Sequence, residues 1–238
     1  MQPTLKPNDQ RAKNSITLIW LVLILDLIGF ISNYFQYDLL DRYNHGGTVT
    51  QAEILFNDSR QQVVGVLSLL IYLASAIVFI QWFRRAYFNL HLYSKNLSYS
   101  EGWAAGSWFV PILSLFRPIQ IMRELYEETA RVFAKKERPG AYIASTKFLG
   151  WWWALWLVHN IIDQYVSRIT WKAEEASELI NATVADMISA LIGIPLAILT
   201  VKVIKDYAKM EVHLQALDLE EVQVSLEEVN SKNEIDHE

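Results

Sequence analysis

Four ionisable side chains and one amide lie inside strongly apolar segments of the sequence: Asp26, His159, Asn160, Asp163 and Asp186. His159 and Asp163 are four residues apart, so they share one face of a helix. A charged group in hydrocarbon is costly and normally faces protein or water. We therefore predict an intramembrane polar cluster in which His159 is the only candidate cation.

This cluster permits three interpretations. The residues could pack helices together through hydrogen bonds, or line a proton or cation path, or form a metal or hydrolytic site. One His with carboxylates can ligate a metal, but the sequence has no HExxH, GxSxG, P-loop or dinucleotide-binding motif. With no Cys, a thiolate nucleophile is excluded. We predict no metal and no cofactor, and we favour a non-enzymatic protein.

The elements that carry these residues are predicted to be membrane-spanning helices. Of the 238 residues, 52% are hydrophobic and 20% are charged, and a net charge of -5 argues against nucleic-acid binding. A helix needs roughly 20 apolar residues to cross a bilayer. Four such segments predict an all-α, polytopic membrane protein with spans at about 15–35, 61–83, 148–166 and 181–204.

The basic residues predict the orientation of these spans. The N-terminal arm, the segment between the second and third spans, and the C-terminal end from Lys202 onward together hold 17 of the 21 Lys and Arg. Basic residues mark the cytoplasmic side. We therefore expect both termini in the cytoplasm, a disordered arm at 1–14, a membrane domain at 15–209 and an acidic cytoplasmic tail at 210–238.

The long cytoplasmic connection contains an interfacial segment at 102–136. Residues 102–116 carry no charge, yet they are too few to span. We predict a re-entrant or interfacial helix there, bent at Pro111. From Arg117 to about Lys136 the apolar spacing predicts an amphipathic helix that lies on the membrane or against a partner.

Aromatic and basic residues gather at this predicted cytoplasmic face: Trp82, Arg84, Arg85, Asn89, Trp103, Trp108, Pro111, Arg117 and Arg123. Such charges ordinarily set topology. Alternatively, they bind anionic lipid headgroups or a phosphorylated ligand, with the tryptophan rings as interfacial anchors. The sequence leaves both interpretations open.

Two stretches of this face carry a family resemblance. Trp-Phe-Arg-Arg-Ala-Tyr-x-Asn-Leu at 82–90 precedes Gly-Trp-Ala-x-Gly-x-Trp-Phe-Val-Pro-Ile-Leu-x-Leu-Phe-Arg-Pro at 102–118. Together they resemble the bacterial membrane family catalogued as domain of unknown function 4328, over roughly residues 60–205. Ser114 stands where the family pattern leads us to expect Asn. The resemblance implies a bacterial multi-pass protein of the inner membrane and no particular activity.

We therefore expect a non-enzymatic membrane module that binds lipid, a partner protein or a small ligand at its cytoplasmic face. The second hypothesis is a small transporter or channel subunit that uses the intramembrane carboxylates, and the third is an intramembrane enzyme. The expected partners are the lipid bilayer, with anionic headgroups as candidates, and a protein partner or a second copy of the chain.

Overall fold

The computed structural model describes residues 5–173 and 175–235, and every regular element in those ranges is helical. This confirms the predicted all-α class for the described residues. The α-helices are α1 (Asp9–Asn44), α2 (Gln51–Tyr93), α3 (Trp103–Gly106), α4 (Arg117–Lys135), α5 (Leu149–Thr170) and α6 (Ala176–Ile235). A short 3₁₀ turn, Leu113–Leu115, lies between α3 and α4.

Three of these helices are long and apolar enough to cross a membrane: α1, α2 and the part of α6 from Ala176 to Glu220. They contain three of the four predicted spans. The fourth prediction, 148–166, falls on α5, which has 22 residues. Polar side chains such as His159 and Asp163 lower its mean hydropathy, so length and composition alone do not mark α5 as a span.

The connection between α1 and α2 ends in a capping box. The Thr50 backbone N–H donates to Glu53 Oε2 at 2.8 Å, and the Glu53 N–H donates to Thr50 Oγ1 at 3.3 Å. Arg42, in the last turn of α1, also donates to Glu53 Oε1 at 3.1 Å. The hydrogen bonds from Thr50 and the Arg42 guanidinium lower the pKa of Glu53 to about 2.

The chain divides into two compact units, and the membrane domain at 15–209 stays a prediction. The first unit contains the described parts of Met1–Ala12, Ile80–Lys147 and Val203–Glu238. The second unit contains the described parts of Lys13–Phe79 and Phe148–Lys202. The division arises because the ends of α2 and α6 pack with the α2–α5 connection.

Helix α4 lies in the core of the first unit, where its apolar stripe is buried: Ile121, Met122, Leu125, Val132 and Phe133. Tyr126 on the same face donates its hydroxyl to the Val203 carbonyl oxygen of α6 at 2.6 Å. Its ring centroid is 5.7 Å from that of Tyr207. The prediction that this face meets the membrane or a partner is therefore wrong, because α6 covers it.

Both ends of the chain are more ordered than predicted. Helix α1 begins at Asp9, so residues 9–14 are helical. Residues 5–8 form an arm that is hydrogen-bonded to other residues of the first unit. Helix α6 continues without interruption through the predicted acidic tail to Ile235. Met210, Leu214 and Leu217 are buried, so this part of the tail belongs to the core. Predictions for residues 1–4 and 236–238 lie outside the described residues.

The predicted helix at 102–116 is also wrong. Helix α3 has four residues, and turns and the 3₁₀ segment follow it before α4 begins. Pro111 has no N–H with which to continue a helical hydrogen-bond ladder. Ile112 has a φ of 68°, a left-handed conformation that is unfavourable for a β-branched residue. We call residues 107–116 the signature loop.

The packing of α4 gives a stability prediction. Leu125→Ala should lower the free energy of unfolding by about 2–5 kcal/mol, because it leaves a cavity in the core of the first unit. Glu127→Ala is the matched control on the exposed face of the same helix and should change it by less than about 0.5 kcal/mol. Chemical unfolding in detergent, followed by circular dichroism, measures both. Equal losses would contradict the packing described above.

Candidate functional site

The second unit brings most of the predicted polar cluster together. On α5, His159 Nδ1 lies 2.8 Å from Asp163 Oδ2. From α6, the Ser189 hydroxyl donates to Asp163 Oδ1 at 2.6 Å. The side chain of His159 is 17% exposed and that of Asp163 is 45% exposed. The Asp163 side chain is therefore partly accessible from outside the unit, whereas the His159 side chain is mostly covered.

Asp26 of α1 joins this group through a close approach at Gly193 of α6. A Cβ atom added to Gly193 would lie 3.1 Å from Asp26 Oδ2 and 3.5 Å from His159 Nε2. The missing side chain thus makes room for a carboxylate and an imidazole. Small residues at such crossings let polar groups of different membrane helices meet.

Asp186 makes a separate contact with α1. Asn33 donates its amide to Asp186 Oδ2 at 2.6 Å, and its own oxygen accepts from Gln61 Nε2 of α2 at 3.2 Å. Asn160 donates to the Trp156 carbonyl oxygen of its own helix at 2.8 Å. Asp26, His159 and Asp163 therefore lie near one another, Asp186 lies in a second hydrogen-bonded group, and the Asn160 amide bonds within its own helix.

The geometry limits what this group can do chemically. Ser189 donates to Asp163 and not to His159, so the hydroxyl has no adjacent imidazole base in the arrangement that activates a serine nucleophile. Among the described residues, no group of three or more His, Asp or Glu is arranged to hold a metal ion. Adjacent carboxylates and an imidazole do form a chain that can hold or pass a proton.

The nine residues predicted at the cytoplasmic face do not form one surface. Trp82 and Asn89 are fully buried in the first unit. The Trp82 ring packs on Tyr207 with a centroid separation of 6.3 Å, and Asn89 bonds to the arm and to α6. These two residues therefore stabilise the core, and their assignment to a binding surface is corrected.

Of the remaining residues of that set, Trp108 and Pro111 lie in the signature loop, and Trp103 and Arg117 lie close to its two ends in the sequence. Arg84 Nη2 pairs with Glu101 at 2.7 Å, while the Arg117 guanidinium lies 4.3 Å from the Tyr99 ring centroid and 5.4 Å from that of Trp103. Other members differ in exposure, since Arg85 and Trp108 are half-buried and Arg123 and Pro111 are exposed. Burial lowers the pKa of the Arg85 guanidinium, and the nearby Arg11 acts in the same direction.

The signature loop presents apolar side chains outward. Phe109 is 74% exposed and Ile112 is 73% exposed, and three more exposed residues continue the patch: Val110, Leu115 and Phe116. The base of the loop is fixed, because Trp108 Nε1 donates to the Ala104 carbonyl oxygen at 3.1 Å. The Trp108 ring also meets the Phe83 ring edge-on, with a centroid separation of 6.3 Å.

Sequence reasoning missed a buried carboxyl group in the first unit. Glu211 of α6 is 3% exposed. It accepts from Asn89 Nδ2 at 2.7 Å and from Asn8 Nδ2 at 3.0 Å. The sequence could have indicated this burial, because Glu211 lies on the same helix face as the buried residues Tyr207, Met210 and Leu214.

The comparisons with known proteins identify the family of the chain. The model of the family described as Domain of unknown function (DUF4328) matches residues 46–209, which is more than half of the chain. This confirms the resemblance found in the sequence, and the signature loop lies inside the matched range. No curated protein and no solved structure matches.

The close approach at Gly193 can be tested by adding one methyl group. Gly193→Ala should lower the melting temperature relative to Gly65→Ala, because the new Cβ forces Asp26 and His159 apart. Gly65 lies in another long helix, and a Cβ there meets nothing within 4 Å. Replacing Gly by Ala improves helix propensity by about 1 kcal/mol in both variants, so this contribution cancels in the comparison. Asp26→Ala should relieve the defect of Gly193→Ala in a double-mutant cycle, and additive effects would argue against the contact.

Proposed function

The chain belongs to the DUF4328 family, and we propose that it is a four-span, non-enzymatic module of the bacterial inner membrane that contacts anionic lipid from the cytoplasmic side. In this proposal the first unit lies in the cytoplasm and carries both described ends of the chain. The signature loop enters the adjacent leaflet. The single observation that carries the proposal is the exposed apolar patch on that loop.

The division of the chain supports four spans. The first unit combines residues from before α1, between α2 and α5, and after the apolar part of α6, so these segments lie on one side of the membrane. Helix α6 crosses once on its return, so the chain must also cross once on its way out, between 147 and 176. Helix α5 is the element available for that crossing, and its 22 residues span about 33 Å.

The distribution of basic residues supports a cytoplasmic first unit. Ten Lys and Arg lie between the second and third predicted spans, whereas the two connections on the other side hold two each. The segment with the higher basic charge stays in the cytoplasm. This orientation also accounts for the exposed ring of Trp151, since tryptophan favours the membrane interface.

Contacts within the first unit support a location of the signature loop near the level of the bilayer surface. Phe83 is the last apolar residue before the Arg84–Arg85 pair, so it marks the inner end of the second predicted span. Trp108 at the base of the loop packs against Phe83. Phe109 and Ile112 extend from that base, and burying such side chains in lipid is favourable by about 25 cal/mol per Å².

Positive charge beside the loop supports a preference for anionic lipid. Arg117 directly follows the loop and Arg123 lies six residues further into α4. Basic side chains near an anionic membrane surface contribute about 1 kcal/mol each. Apolar insertion combined with adjacent cations is the usual pattern of interfacial membrane binding.

The loop can be located by site-directed spin labelling. Because the chain has no Cys, Phe109→Cys carries a single nitroxide, and Glu127→Cys is the control on the exposed face of α4. In phosphatidylcholine vesicles containing phosphatidylglycerol, the Phe109 label should be accessible to oxygen and shielded from a water-soluble nickel reagent. The Glu127 label should show the opposite. Equal exposure of both labels to the nickel reagent would overturn the proposal.

A second candidate function is a proton or cation path through the second unit. The positions of His159, Asp163 and Asp26 favour it, because these ionisable groups of α5 and α1 gather around Gly193 and Ser189 of α6. In this hypothesis His159 passes a proton between the two carboxylates.

Reconstituted vesicles with an internal pH dye test the second candidate. A conducting protein should dissipate an imposed pH gradient, and Asp26→Asn or His159→Gln should abolish this while Asn160→Ala leaves it unchanged. Asn160 is the matched control because its amide bonds only within α5. Leakage equal to that of empty vesicles would reject this function and leave the lipid-binding proposal standing.

A further inference from the structure

The arm at residues 5–8 is held by hydrogen bonds between its backbone and side chains of other elements. The Leu5 N–H donates to Asp218 Oδ2 at 3.1 Å, and the Lys6 N–H donates to Asn89 Oδ1 at 3.0 Å. Asn89 Nδ2 returns a bond to the Lys6 carbonyl oxygen at 2.9 Å. These bonds lie outside α1, and the arm joins the helix at Asn8, whose carbonyl oxygen accepts from the Ala12 N–H at 3.0 Å. Release of the arm therefore costs α1 one hydrogen bond at its first turn.

Glu211 lies where the arm enters α1. Asn8, which is 1% exposed, closes over the carboxyl group and donates to both of its oxygens, at 3.0 and 3.3 Å. The same amide also reaches the Trp82 carbonyl oxygen at 3.3 Å. Detachment of the arm would remove Asn8 and admit water to a carboxyl group that is otherwise buried.

Burial makes the docked arm sensitive to the charge on Glu211. Glu211 lies beyond the apolar stretch of α6, and burial raises the pKa of its carboxyl to about 7. Hydrogen bonds from Asn89 and Asn8 and the charge of Arg85 act in the opposite direction, while Asp9 reinforces the increase. Tyr207 is the neighbouring ionisable group on α6, and the hydroxyl of Thr129 on α4 faces it. Burial is the largest of these effects.

We propose that the arm is a releasable strap, docked on the first unit while Glu211 is protonated and released when Glu211 ionises. The proposal goes beyond lipid binding and needs only the first unit, although the proposed topology makes cytoplasmic pH the signal. Release would uncover the Asn89 and Glu211 pocket together with the ends of α2 and α6 that lead into the membrane.

The sign of the pH effect follows from linkage. With the arm docked, the carboxyl has a pKa of about 7, and with the arm released it returns toward its ordinary value of 4.5. The docked state therefore binds more protons than the released state between these values. Raising the pH shifts the equilibrium toward release, by about tenfold between pH 6 and pH 8.

A spin label on the arm measures this equilibrium directly. Leu5→Cys, in a chain without other cysteines, keeps the backbone N–H that binds Asp218. The label at Lys95→Cys, on an exposed connection of the same unit, controls for general effects of pH on mobility. Phosphatidylcholine nanodiscs keep the surface pH equal to that of the buffer.

The proposal predicts that the mobile fraction of the Leu5 label rises between pH 6 and pH 8, while that of the Lys95 label does not change. Glu211→Gln should remove the pH dependence and keep the arm docked. Arg85→Gln should move the midpoint to higher pH, because it removes a cation that favours ionisation. A mobile fraction that is independent of pH, or a pH dependence that survives Glu211→Gln, would overturn the proposal. If Glu211→Gln does not fold, an unchanged midpoint in Arg85→Gln serves as the contradicting result.

Discussion

The constraint on which the structure depends is that α1, α2 and α6 are longer than a bilayer is thick. They contain 36, 43 and 60 residues, whereas about 20 suffice to cross the hydrocarbon. The surplus turns of α2 and α6 continue beyond the apolar segments and form the core of the first unit. A compact unit is thereby assembled from chain segments that are far apart in sequence. These segments are continuous with helices whose apolar stretches are long enough to span a membrane.

The two units differ in the arrangement of their polar side chains. In the second unit, Asp26, His159 and Asp163 approach one another across helices, and a glycine provides the space. In the first unit, the carboxyl group of Glu211 is surrounded by two asparagine amides and a tyrosine-rich core. The first arrangement suits proton exchange among neighbours. The arrangement around Glu211 suits a local switch, because a short arm covers the carboxyl group.

The sequence was most informative where charge and hydropathy are segregated. It predicted the helical class, three of the spans that the helices support and the stripe of α4. It could not predict what that stripe contacts, because an apolar helix face looks the same whether it meets lipid or another helix. Trp82 and Asn89 were assigned to a surface for the same reason, since their burial depends on α6 and the arm, which are distant in sequence. The turns of the signature loop were missed because an uncharged run of 15 residues is equally compatible with an interfacial helix.

The proposed topology depends on whether α5 crosses the membrane, and labelling with a membrane-impermeant maleimide in intact cells tests this most directly. Single cysteines at His45, Lys172 and Lys95 occupy exposed positions in three different connections. Four spans predict that His45→Cys and Lys172→Cys are labelled from outside, whereas Lys95→Cys is labelled only after the membrane is opened. Protection of Lys172→Cys together with Lys95→Cys would show that α5 does not cross, and would contradict the four-span protein.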